Sequence, residues 1–259
     1  MKTDRLISSI TSSGVEMPEH GRRFFWRGVL MRNTRCIVCG EPVHDGRNIS
    51  VDDYNSVACA SHAPERCFVC RRFITGPRVI VPGYGYACKE CGTPRSYAEL
   101  EKVRLSINAF YAKLHMFIPG YRLVLLPGQT MLDKYVRYFD VPPLGAAWKE
   151  DGNPDYGYRV DIMSQQSVIS MSSTLAHELL HLWQFYRGLE APTPYAEGFC
   201  NLGAFLYVST LNEDEALVNM SRMMENRDAD YGVAFRRLKL LYDMYGWDAV
   251  VKAMKETWS

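Results

Sequence analysis

The residues best suited to chemistry lie close together, in the stretch 173–183. This stretch contains the pattern His177-Glu178-x-x-His181, and Ser172 or Ser173 can cap a helix that carries it. Two histidines four positions apart project from one face of a helix, where both imidazoles can hold one metal ion. Glu178 lies one position further round, so its carboxylate can reach a water molecule beside the metal rather than the metal itself. The spacing predicts a hydrolytic zinc centre.

A catalytic zinc ion needs a third protein ligand and an open fourth position. Glu197 is the expected third ligand, because it opens a second helical segment and is separated from His181 by fifteen residues. A turn through Pro192 and Pro194 would return this segment to the side of the first helix. Asn201, one turn beyond Glu197, is expected to orient one of the ligands through a hydrogen bond.

Two further features are expected to serve the same site. Tyr231 is the favoured donor of a hydrogen bond to the developing oxyanion, and Tyr195 and Tyr207 are the alternatives. The four residues directly before the helix are expected to form an edge strand that aligns a peptide substrate by β-augmentation. They are Val168, Ile169, Ser170 and Met171.

The cysteines predict two structural zinc sites in the first third of the chain. Seven of the eight lie in residues 36–91 and, with one histidine, form four pairs with the metal-ligand spacing of two intervening residues. The alternative, a reduced cluster without metal, does not explain this spacing. Taken in chain order, the pairs give a first site of Cys36, Cys39, Cys59 and His62, and a second site of Cys67, Cys70, Cys88 and Cys91.

The remaining pattern predicts an α+β protein in three parts. Residues 1–33 read as an arm with a short helix, residues 34–94 as a double zinc module, and residues 95–259 as the part that carries the chemistry. In the last part, helical periodicity covers 97–116, strands are expected near 121–126 and 158–163, and most of the chain after Ser173 reads as helix.

Charge and hydropathy exclude several classes of protein. The net charge is +1, made of +5 in residues 1–95 and −4 in residues 96–259. Seven thiolates (−7) and two zinc ions (+4) would reduce the net charge of residues 1–95 to about +2. Since no basic helix is evident either, nucleic acid is not an expected partner. No apolar run is long enough to span a membrane, and the first 30 residues lack the apolar core of a secretion signal. We therefore expect a cytoplasmic protein without a membrane partner.

These motifs together resemble the LIM-domain-containing, ubiquitin-activated peptidases that restrict organ growth in plants. The resemblance rests on residues 175–183 and 196–200, on the zinc-type pairs from Cys59 to Cys91, and on Tyr231-Gly232, Phe235-Arg236 and Tyr245-Gly246 further on. It implies a mostly helical, zincin-like endopeptidase of the gluzincin type that follows a LIM-like module. The implied catalytic zinc ligands are His177, His181 and Glu197, with Glu178 as the general base and acid, and the resemblance also favours Tyr231.

The chain departs from the plant family in two respects. The 33 residues before the zinc module are too short for ubiquitin-interacting motifs, and one LIM-like module stands where the family has two, so ubiquitin is not favoured as a partner. The expected partners are a protein or peptide substrate and a protein bound by the LIM-like module. The alternative function is a catalytically silent LIM-type interaction scaffold, which would have no use for Glu178.

Overall fold

A computed structural model describes residues 35–43, 49–62, 65–139, 141–150 and 157–258. The arm predicted at residues 1–33 lies outside the described residues. The chain divides into two compact units, Met1–Pro64 and Glu65–Ser259, and the described residues form a mixed α+β protein, as expected. None of the described helices combines the length and apolar character needed to cross a membrane.

The first unit is built around a short antiparallel pair. Strand β1 (Ile49–Val51) pairs with β2 (Val57–Cys59), and a single 3₁₀ turn (Ala60–His62) follows. The turn between the strands is closed by Asp52, whose buried carboxylate accepts hydrogen bonds from the backbone N–H groups of Tyr54 and Ser56. These elements place Cys59 and His62 beside Cys36.

The second unit begins with a hairpin of β3 (Arg78–Val81) and β4 (Gly85–Cys88), followed by the single turn α1 (Lys89–Gly92). Its buried residues pack in one hydrophobic cluster with Met131, Tyr135 and Met163 from later in the chain. The division into units thus falls between the two cysteine clusters, whereas the sequence suggested one zinc module at 34–94. The reason is that the second cluster shares a hydrophobic core with the elements that follow it.

A three-stranded sheet lies next in the second unit. It consists of β5 (Arg122–Leu126), β6 (Gly145–Lys149) and β7 (Tyr158–Met163) in the order β5-β7-β6, with β5 parallel and β6 antiparallel to β7. Two of these strands lie where the sequence predicts them. Asp161, fully buried, accepts hydrogen bonds from Lys134 and Tyr135 on one face, and Ile162 faces the opposite side.

Helices supply most of the second unit and cover the sheet. The first of them has a complete capping box, in which Ser96 and Glu99 bond each other's backbone N–H groups. A π-helix (Ala229–Val233) precedes the last helix, which is kinked at Gly246, where φ is 79°. The remaining helices are α2 (Tyr97–Lys113), α3 (Gly128–Tyr135), α4 (Val168–Arg187), α5 (Thr193–Val208), α6 (Asp214–Glu225) and α7 (Ala234–Trp258).

The edge strand predicted from Val168 to Met171 is wrong, because these residues form the first turn of α4. The helix begins earlier than the sequence suggested. Its N-cap is Ser167, whose hydroxyl accepts a hydrogen bond from the backbone N–H of Ser170. Ile169 and Met171 are buried against the core, and this burial favours the longer helix over a strand.

Candidate active site

His177 and His181 lie one turn apart on α4 and face a common cleft of about 630 Å³. Their Nε2 atoms are 3.0 Å apart. Both side chains are about 15% exposed, so they are accessible from the cleft yet held by their surroundings. The sequence places these two histidines correctly on one helix face.

Glu197 comes to the same point from α5. The chain leaves α4 at Gly188, which has the left-handed φ of 65°, and α5 then packs back along α4. One carboxylate oxygen of Glu197 lies 3.0 Å from His177 Nε2 and 3.5 Å from His181 Nε2. Burial alone would raise the pKa of Glu197, but the neighbouring side chains of His177 and His181 hold that pKa well below its usual range.

The three atoms fit a zinc ion. Ligand atoms about 2.0–2.1 Å from a tetrahedral zinc lie about 3.3 Å from one another, and the observed separations are 3.0, 3.0 and 3.5 Å. Two imidazoles with one carboxylate are also a donor set that catalytic zinc uses. All three residues line the cleft, so a metal ion held by them would be accessible from it.

Cys200 is the other side chain near enough to be considered as a ligand, since its sulfur forms a compact group with both imidazoles. Its environment argues against this role. The thiol is fully buried, does not line the cleft and lies 3.7 Å from the Gln184 side-chain oxygen. Burial raises the pKa of the thiol to about 11, whereas the Glu197 carboxylate is ionised and faces the cleft. Glu197 therefore fits better as the third ligand.

Both imidazoles are oriented from behind by amide side chains. The Nδ1 atom of His177 is 2.9 Å from Asn201 Oδ1, and that of His181 is 3.0 Å from Gln184 Oε1. The amide nitrogens donate elsewhere, to the carbonyls of Tyr231 and Ala196 respectively. Each amide oxygen must therefore accept from an Nδ1–H, which leaves each Nε2 lone pair directed at the metal position.

Of these two amides, the sequence pointed only to Asn201. Gln184 was missed, although it lies three residues after His181 on the same helix, where an i,i+3 contact can be expected. Its side chain is buried, so both its polar atoms need partners, and the histidine supplies one of them.

Glu178 is buried beside the metal position and lies against β6. Burial raises the pKa of its carboxyl group, and a hydrogen bond from the Ala147 backbone partly offsets this. The close approach depends on Gly145. A Cβ atom there would lie 2.5 Å from Thr174 Cγ2 and 3.0 Å from Glu178 Cγ, so any larger residue would push the strand away from α4.

The backbone of β6 is open toward the cleft. In the described part of the chain β6 has a partner strand only on its β7 side. Hydrogen bonds from Met163 N to Leu144 O and from Glu150 N to Gly157 O show that the even-numbered residues bond β7. Because bonded and non-bonded pairs alternate in an antiparallel ladder, the N–H and C=O groups of Gly145 and Ala147 point the other way, where the Ala147 N–H donates to Glu178. Among the described residues, β6 is thus an edge strand beside the cleft, at a position that the sequence did not indicate.

Tyr231 lies at the cleft on the π-helix. Its ring stacks on that of His177 with 6.4 Å between centroids, and burial raises the pKa of its hydroxyl to about 12, so the group is protonated at neutral pH. The alternatives Tyr195 and Tyr207 do not line the cleft, and the Tyr207 hydroxyl donates to Ser106.

The cysteine and histidine residues assigned to structural zinc also come together in two groups. In the first cluster (Cys36, Cys39, Cys59, His62), the Cys36 and Cys59 sulfurs are 3.6 Å apart. In the second cluster (Cys67, Cys70, Cys88, Cys91), the Cys70 and Cys88 sulfurs are 3.9 Å apart. Sulfur ligands about 2.3 Å from a tetrahedral zinc lie about 3.8 Å apart, so both groups suit a metal ion.

The two clusters differ in burial. Cys39 and His62 of the first cluster are exposed, whereas three of the four cysteines in the second cluster are buried. Because the second cluster lies in a shared core, packing helps to fix its geometry. The first cluster has less of this support.

Comparison of the chain with protein-family models, with curated proteins and with solved structures finds no match. The resemblance to the plant peptidases stays a prediction that rests on the motifs quoted for it. The geometry of the cleft is therefore the main ground for assigning a function.

Proposed function

We propose that this protein is a zinc-dependent endopeptidase. The observation that carries the proposal is the convergence of His177 Nε2, His181 Nε2 and one Glu197 oxygen within 3.0–3.5 Å of one another, beside the buried Glu178 and under the open edge of β6. Each of these parts alone also occurs in proteins that cut no peptide bond. A metal triad, a buried carboxylate and an unpaired strand edge in one cleft are together the parts that hydrolysis of a peptide bond requires.

His177, His181 and Glu197 would hold the zinc ion. Bound there, zinc would polarise the scissile carbonyl group and make a water molecule more acidic. Glu178 accepts a proton from the attacking water as its oxygen bonds to the carbonyl carbon. The Tyr231 hydroxyl donates a hydrogen bond to the oxygen that gains negative charge. Glu178 then passes the proton to the leaving nitrogen as the carbon–nitrogen bond breaks.

The substrate backbone would pair with β6. The backbone N–H and C=O of Gly145 and the C=O of Ala147 are directed toward the cleft, so an extended peptide can add to the sheet as a further strand. The Ala147 N–H already donates to Glu178. This pairing recognises main chain that any peptide offers, and it does not require a free terminus. It therefore supports an endopeptidase.

We propose that each cysteine cluster binds a structural zinc ion in a LIM-like arrangement, and that the second one braces the cleft. The Tyr84 hydroxyl, at the tip of the β3–β4 hairpin, donates to the carbonyl of Pro143 at 2.8 Å. Pro143 lies two residues before β6 and lines the cleft. The hairpin held by the second cluster thus supports the segment that leads into the substrate strand.

The test begins with zinc per chain in the purified protein and in the variant His177→Ala/His181→Ala. We expect three zinc ions in the first and two in the second, because the structural clusters are untouched. Peptide hydrolysis by the wild type should disappear in Glu178→Gln, which keeps all three zinc ions. Two zinc ions in both proteins even after zinc is added, with no hydrolysis, would contradict the proposal and favour the scaffold.

A further inference from the structure

The walls of the cleft are apolar, and its titratable groups belong to the proposed catalytic residues. The titratable residues among the described lining are the three proposed ligands, Glu178 and Tyr231. No lysine, arginine or aspartate occurs among the described residues that line it. A charged substrate side chain would therefore give up its water there without a partner of opposite charge outside the proposed catalytic set.

The first wall is the segment between α3 and β6. Phe139 and Val141 line the cleft with 45% and 68% of their surface exposed, and Leu144 continues the wall to the start of β6. Exposed apolar side chains that are grouped at a cleft, rather than scattered over the surface, are typical of a binding surface.

The second wall is the end of α4 and the turn after it. Phe185 stacks on the ring of His181 with 6.2 Å between centroids, and Leu189 follows Gly188 at the turn. Both are half-buried and line the cleft. This wall adjoins the proposed metal ligands, so it lies next to the bond that would be cut.

We propose that the cleft selects a peptide segment with an apolar side chain next to the scissile bond, and that Val141 and Leu189 are specificity-determining residues. The proposal rests on the proposed peptidase function. Side chains of an extended strand alternate, so a peptide paired with β6 directs every second side chain to the same side. One that points into the cleft meets the apolar walls, which offer a charged side chain no partner of opposite charge.

The test uses three internally quenched peptides built from glycine, alanine and serine, with one central position occupied by leucine, lysine or aspartate. The leucine peptide should have a kcat/KM at least about tenfold above the other two, because a few buried methylene groups are worth this much discrimination. The same order of affinity is expected for binding to Glu178→Gln. Equal rates or a preference for a charged peptide would overturn the inference while leaving the peptidase in place.

Two variants test whether the residues of the walls determine the preference for an apolar side chain. Leu189→Arg and Val141→Arg should each reduce the preference for leucine over aspartate, because each places a cation in the cleft. The matched control is Leu217→Arg, which changes an exposed leucine of α6 that does not line the cleft. If both wall variants keep the preference of the control, the assignment of the walls is wrong.

The two proposals fail separately. If no peptide is cut but Glu178→Gln binds the leucine peptide most tightly, the proposed peptidase function is wrong. The proposed recognition of an apolar side chain is then still supported. If no peptide is either cut or bound, both fail.

Discussion

At the scale of single residues, the site depends on the amide groups behind the histidines as much as on the ligands. Asn201 and Gln184 each accept a hydrogen bond from the Nδ1–H of one imidazole. The Nε2 lone pair of each ring is thereby directed at the metal position. The two amides use their remaining polar atoms to tie the site to the backbone of Tyr231 and Ala196. A change at either amide should therefore act through the histidine rather than on the substrate.

We expect Gln184→Met to weaken zinc binding at the cleft by about 10- to 100-fold, since loss of a hydrogen bond behind a metal ligand has this effect. Methionine keeps the length of the side chain, so the packing of α4 should survive. Zinc affinity is measured by competition with a chromogenic chelator, and helix content by circular dichroism. Gln129→Met on the exposed surface of α3 is the control. An unchanged affinity in Gln184→Met would show that His181 does not need this partner.

At the scale of elements, close helix contacts bring the parts of the site together. A Cβ atom at Gly198 would lie 2.8 Å from the backbone of Ala234 and Phe235. A Cβ atom at Gly232 would lie 2.0 Å from the Asn226 carbonyl oxygen. Gly198 therefore allows α5, which carries Glu197, to pack directly on the start of α7. Gly232 allows the π-helix that carries Tyr231 to approach the backbone of Asn226 closely.

Gly198→Ala should lower the free energy of unfolding by about 1–3 kcal/mol, because neither the α7 backbone nor α5 can move without loss of packing. Urea unfolding followed by tryptophan fluorescence measures this change. The control is Gly76→Ala in a loop of the same unit, where an added Cβ meets nothing within 4 Å. Equal stability of the two variants would show that α5 can shift freely from α7.

The sequence predicted the elements whose pattern is local and missed those that depend on tertiary contact. The two histidines share a helix, β5 carries a continuous apolar stretch and β7 alternates apolar with charged residues, so local pattern alone located them. The strand expected at residues 168–171 fails because burial of Ile169 and Met171 favours an earlier helix start. The edge strand β6 reads Gly-Ala-Ala-Trp-Lys, which has little strand propensity and forms where β7 and α4 leave room for small residues.

At the scale of the whole molecule, the two cysteine clusters belong to different units and should differ in what they stabilise. The second cluster lies in the core that includes Met131, Tyr135 and Met163, and Tyr84 connects its hairpin to the segment before β6. The first cluster lies in the separate unit Met1–Pro64. Loss of a cysteine from the second cluster should therefore disturb the segment that lines the cleft before β6.

Cys70→Ser and Cys39→Ser form a matched pair for this difference, since each removes one thiolate from one cluster. We expect Cys70→Ser to destabilise the second unit by about 3 kcal/mol or more, because zinc binding contributes directly to folding and the thiol is buried. Cys39→Ser should leave the stability of that unit within about 0.5 kcal/mol. Four of the five tryptophans lie in the second unit, so tryptophan fluorescence in urea reports its unfolding. A loss of the same size in both variants would mean that the two units unfold together and that the first cluster also supports the cleft.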